Sequence, residues 1–123
     1  MNEPCKPLLY LVAGEASGDF LGARLMVTLR DEIPNVQFAG VGGAKMEAQG
    51  LNSLFPITDL SVMGVTEVVP QIFNIIRRLN QTTKNIKFLQ PAALITIDSP
   101  DFCFRLAAKL QNSNVPLVHD VAP

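Results

Sequence analysis

The sequence predicts an α/β fold, a Rossmann-like parallel sheet with helices on both faces. Three observations predict it. Short apolar runs rich in β-type residues alternate with helical patterns along all 123 residues. The first run, residues 8–13, is apolar at every position, as a strand covered on both faces must be. The runs also stop abruptly at polar loops that open helices, and open parallel sheets bind ligands at such junctions. With 48% apolar and 17% charged residues, the length suits one globular domain with one core.

The elements follow in order. Residues 8–13 form the first strand and residues 14–19, Gly-Glu-Ala-Ser-Gly-Asp, the loop after it. Leu21, Leu25, Met26 and Leu29 recur at helical spacing across 20–30, and Pro34 closes that helix. Residues 36–40 read as a second strand leading into Gly42-Gly43. A short helix at 45–49 is ended by Gly50, and 51–55 reads as a short third strand. Residues 58–64 are a loop. A long helical pattern covers 68–89, with a break expected near Asn80 and Pro70 tolerated in the first turn. Pro91 separates it from a strand at 92–97. Ser99 is placed as an N-cap with Pro100 at the first helical position, and Phe102, Leu106 and Leu110 form that helix's inner face. A turn at 112–114 precedes a last strand at 116–121.

The bulk numbers exclude several classes. A net charge of −1 and a pI of 5.7 argue against a general nucleic-acid binder, which needs a basic face. Cys5 and Cys103 lie far apart in no metal-type spacing, so free thiols and no metal site are expected. The run at 8–13 is followed at once by Glu15 and Asp19, which fits a buried strand and not a signal peptide. No apolar stretch reaches the roughly 18–20 residues that a spanning helix needs.

Three places carry candidate chemistry. In the first loop, Gly14 and Gly18 permit tight turning and close approach to a ligand. Glu15, Ser17 and Asp19 there suit sugar hydroxyls better than phosphate, although Ser17 or Asp19 could simply cap the helix. Gly42 and Gly43 form a second glycine turn, which either serves tight turning alone or offers a backbone pocket to substrate. Asp98 ends an otherwise apolar strand. Partial desolvation would raise its basicity, which suits a catalytic base; stabilising the turn is the plainer role. Asp101 needs only its first-turn position to account for it. His119, the sole histidine, stands near the end of the last strand, where a core hydrogen bond competes with a ligand role.

A fourth feature concerns surfaces. Val65, Val68, Val69, Ile72, Phe73, Ile75 and Ile76 make an apolar surface wider than one side of a sheet can cover, and Arg77 and Arg78 follow directly. No Asp or Glu occurs from Val68 to Ile97, where Arg77, Arg78, Lys84 and Lys87 fall. An apolar helix face ending in cations describes shallow membrane docking, with some of these residues in the core and some exposed; plain core packing with a solvated basic face is the alternative.

These segments resemble the N-terminal part of the lipid-A-disaccharide synthases, bacterial GT-B glycosyltransferases. The match rests on LVAGEASGD from Leu11, GVGG from Gly40, LSVMGVTEV from Leu60, IDSPDF from Ile97 and the Val118-His119 pair. The resemblance implies transfer of 2,3-diacylglucosamine from UDP to 2,3-diacylglucosamine 1-phosphate with inversion, in lipid A biosynthesis. It implies Asp98 as the base, with Gly14, Glu15, Ser17, Gly18, Asp19, Gly42, Gly43 and His119 lining the acceptor side. It further implies no metal or redox cofactor, no nucleic-acid partner, and a peripheral place on the cytoplasmic face of the inner membrane; homo-oligomerisation is left open. The family pattern Tyr-Val-Ser-Pro is replaced here by Asp120-Val121-Ala122-Pro123. Residues 1–123 are therefore expected to be a single, incomplete acceptor-side domain, without the nucleotide-binding C-terminal domain and inactive alone. The competing reading is a non-catalytic Rossmann-type nucleotide- or lipid-binding module. Neither glycine turn has the dinucleotide fingerprint, and no acid follows the second strand. A receiver-like domain would want an acidic cluster plus a suitably placed lysine, whereas Lys109 sits mid-helix.

Overall fold

A computed structural model describes residues 7–57, 68–97, 100–111 and 115–119. Its elements are β1 (Leu8–Val12), α1 (Ala16–Glu32), β2 (Gln37–Val41), α2 (Ala44–Ala48), α3 (Val68–Leu89), β3 (Ala93–Thr96), α4 (Pro100–Lys109) and β4 (Leu117–His119). The four strands form one parallel sheet in the order β2-β1-β3-β4. Leu8 pairs with Gln37, Leu9 with Ala93 and Leu94 with Leu117, so all strands run toward the same edge.

The period-two alternation of β1 builds two apolar layers. Leu9 and Leu11 join Ala23, Met26, Met46, Leu51, Ile95 and Ile97 on the side covered by α1 and α2. Tyr10 and Val12 join Leu79, Ile86, Leu94, Phe102 and Leu106 on the side covered by α3 and α4. Burial on both faces is the reason β1 is apolar throughout.

Several expected boundaries move. The helix expected at 20–30 starts at Ala16, so Ser17, Gly18 and Asp19 lie in its first turn and the loop shrinks to 13–15. Glycine's low helix propensity is outweighed by packing: a Cβ at Gly22 would lie 2.5 Å from Met46 Sδ. The third strand expected at 51–55 is only a bridge between Gly40 and Ser53. Leu54 N–H reaches Gly40 O at 2.8 Å, but Gly42 N–H donates to the Ser53 side chain at 3.1 Å, so no ladder extends. Gly40 has φ +134, and a Cβ there would meet Leu11 O at 1.9 Å, so only glycine fits between β1 and this bridge.

The break expected near Asn80 does not occur. Thr82 and Thr83 are buried because their hydroxyls donate to the carbonyls of Arg78 and Leu79, 2.7 and 2.8 Å away. These back-bonds satisfy the polar heads within the helix. The Tyr10 hydroxyl, at the centre of the sheet, donates to Asn85 Oδ1 at 2.8 Å and ties β1 to the last turns of α3. The loop expected at 58–64, the cap expected at Ser99 and the turn expected at 112–114 lie outside the described residues.

Candidate active site

The strand order makes a switch point. The chain leaves β1 for β2 on one side and returns to β3 on the other. Helices therefore depart in opposite directions from the carboxyl ends of β1 and β3, and a crevice opens between them. Ala13 N–H bonds Val41 O and Ile97 N–H bonds Val12 O, both at 2.9 Å, so the three strand ends are held level. Asp98 is the next residue after buried Ile97; it lies outside the described residues.

The first loop divides into two kinds of residue. Gly14 is buried at the strand end, while Glu15 and Ser17 are exposed at the rim. Glu15 occupies the N-cap position of α1 with extended backbone and makes no side-chain cap bond. Gly18 and Asp19 are buried.

Asp19 does not cap its own helix. Its Oδ1 accepts from Gly43 N–H at 3.0 Å and Met46 N–H at 2.9 Å, and Oδ2 accepts from Lys45 N–H at 3.0 Å. One buried carboxylate thus satisfies the first turn of α2. The same contact accounts for the second glycine turn. A Cβ at Gly43 would lie 2.7 Å from Asp19 Oδ2, and one at Gly42 would lie 2.5 Å from Met46 Sδ. Side chains at 42 and 43 would push the two loops apart.

Beside this turn lies a cavity of about 430 Å³, between Gly42 and Gly43, the start of α2, and residues 53–57. Glu47 stands at its mouth, and its Oε2 accepts from Ser53 N–H at 3.4 Å. Sequence reasoning missed this cavity because 51–55 reads as a strand; Gly50 ahead and Pro56 behind were the available sign of a bent segment.

On the other side of the sheet, α3 separates the residues expected to meet a membrane. Phe73 is 68% exposed and Ile76 44%, and Arg77 is exposed with its guanidinium on Asn74 Oδ1 at 2.9 Å. Ile75 instead packs on the core. Arg78 is half-buried, its guanidinium 4.9 Å from the centre of the Phe55 ring and bonded to Gln81 Oε1 at 2.8 Å. Phe73, Ile76, Arg77 and Lys84 border a shallow concavity of about 760 Å³. Val68, Val69 and Ile72 belong to α3, but their side chains, like that of His119 in β4, are outside what the structure describes; Val65 lies outside it altogether.

Among the described residues there is no cluster of His, Cys, Asp and Glu that could hold a metal ion. None of their helices is long and apolar enough to cross a membrane. Cys103, in α4, is buried in the core and forms no disulfide.

A four-stranded parallel sheet covered by helices on both faces, with a switch point between β1 and β3, defines an α/β domain of Rossmann-like architecture. Residues 9–123 match the family model described as Lipid-A-disaccharide synthetase. The chain belongs to this family, glycosyltransferases of lipid A biosynthesis. It is 50% identical over 122 residues to the lipid-A-disaccharide synthase of Rhodospirillum centenum, covering 96% of this chain and 30% of that protein. The enzyme of the same name from Granulibacter bethesdensis is 50% identical over 117 residues, with 95% and 30% covered. That of Paramagnetospirillum magneticum is 52% identical over 119 residues, with 94% and 30% covered. The chain thus spans about 30% of the length of the curated relatives it matches.

Proposed function

We propose that this chain forms the acceptor side of an inverting glycosyltransferase. The enzyme joins 2,3-diacylglucosamine from its UDP derivative to 2,3-diacylglucosamine 1-phosphate. The nucleotide-binding half of the site lies outside these residues, and the chain alone does not turn over. The carrying observation is the placement of Ile97, buried and bonded to Val12 O at 2.9 Å at the switch point. It supports Asp98, the next residue, as the group that enters the crevice.

In this mechanism the Asp98 carboxylate takes the proton of the acceptor hydroxyl as its oxygen bonds to the anomeric carbon. The bond from that carbon to the UDP oxygen breaks on the opposite face, so the linkage inverts. Glu15 and Ser17, exposed at the rim, orient acceptor hydroxyls. Asp19, held by three backbone N–H groups, shapes the pocket by locking the Gly42-Gly43 turn against α1. Gly14 and Gly18 allow the backbone to come close, and His119 is proposed as a further acceptor-binding residue.

The exposed part of α3 supports a peripheral membrane location for an enzyme whose substrates are lipids. Phe73 and Ile76, with Val65, Val68, Val69 and Ile72, dock into the acyl boundary, and Arg77 meets lipid phosphates.

The test of the base is Asp98→Asn in a full-length family enzyme carrying this segment. Turnover should fall roughly 10²–10⁴-fold, with the KM for acceptor little changed. Unaltered turnover removes Asp98 from the mechanism.

A further inference from the structure

The cavity beside the Gly42-Gly43 turn has an unusual division of chemistry. Its wall is the run Leu54, Phe55, Pro56 and Ile57, with Ala44 opposite. Three of its polar groups are committed to one another or to Asp19. Gly42 N–H donates to Ser53 Oγ, Ser53 Oγ donates to Phe55 O at 2.7 Å, and Gly43 N–H is taken by Asp19. Glu47 keeps spare capacity: one carboxylate oxygen accepts from Ser53 N–H, and the other has no partner among the described residues.

A sugar ring needs several partners, and a phosphate is repelled by a carboxylate. An apolar chain carrying one N–H donor at its head suits an oily cavity of about 430 Å³ with a single acceptor at the mouth. We propose that this cavity takes the N-acyl chain of an acylated amino sugar, with the amide N–H donating to Glu47. This rests on the acceptor-side reading above and adds where the acyl group goes.

The test compares two probes on this chain, N-decanoylglucosamine 1-phosphate and N-acetylglucosamine 1-phosphate, both below micelle-forming concentration. The decanoyl probe should bind about tenfold or more tightly, since added buried methylenes favour binding. Ala44→Phe, which fills the cavity from an exposed position, should erase the difference, and Ala44→Ser should keep it. The Leu54 and Ile57 methyl resonances should move with the decanoyl probe only, which decides the matter if Ala44→Phe melts early. Equal affinity for the two probes, or a chain-length preference that survives in folded Ala44→Phe, overturns the proposal. Neither result bears on Asp98, whose test reads turnover.

Discussion

Asp19 shows how one side chain can set a loop. Its carboxylate reaches backbone groups 24, 26 and 27 positions away and replaces the water those N–H groups would otherwise need. Asp19→Ala should therefore lower the unfolding free energy by about 2–4 kcal/mol, because buried donors lose a charged acceptor; urea unfolding measures it. From sequence Asp19 was legible as a loop residue that could cap the helix after it. That its partner was a different helix was not, because nothing local marks a contact of that span. Tyr10 gives a second prediction. Burial raises its pKa above the ordinary 10.0, so the folded state holds the phenolic proton more tightly than the unfolded chain. The sign follows: this contribution is complete below pH 10.0 and is lost as the pH rises further. Tyr10 is the sole tyrosine, so tyrosinate absorbance reports on it alone. It should appear together with loss of helical circular dichroism; ionisation near the ordinary value in a folded chain would contradict this.

At the scale of elements, α3 carries the most weight. Its exposed side carries Phe73, Ile76 and Phe88 together with Arg77, Lys84 and Lys87, and the helix contains no acid. Replacing Val68, Val69, Ile72 and Ile76 by Ser should weaken sedimentation with anionic vesicles about tenfold or more, given the apolar area removed. Retained binding would move the docking face elsewhere. The sequence already suggested that this surface is shared between core and solvent. The structure assigns the shares: Ile75 turns to the core and Arg78 lies against Phe55, while Phe73 and Ile76 are exposed. Sequence also suggested a break near Asn80. Hydroxyl back-bonding to the previous turn removes the reason for one, and that compensation is invisible until the helix exists. The opposite happened at 51–55, read as a short strand, where the neighbouring strand's next N–H is already taken by Ser53.

For the whole molecule, alternation of strand and helix sufficed to predict a parallel sheet. Strand order was not legible, because it depends on which way each crossover turns. The order found places β1 between two partners, with both its faces covered. Amide exchange should therefore be slowest at Leu9–Val12 and faster in β4, where Leu117 and Val118 are 48% and 51% exposed. Equal protection in the two strands would mean that the sheet opens as one unit.

Because every strand points the same way, the two rims of the sheet have different duties. β1 enters at Leu8, beside the Gln37 N–H bond to Pro7 O at 2.8 Å, on the rim opposite the crevice. A biotin, bead or fusion partner joined ahead of Pro7 thus attaches at the far side from the candidate chemistry. Anchored in that way on a sensor chip, the chain would hold its crevice outward, free for sugar probes to enter.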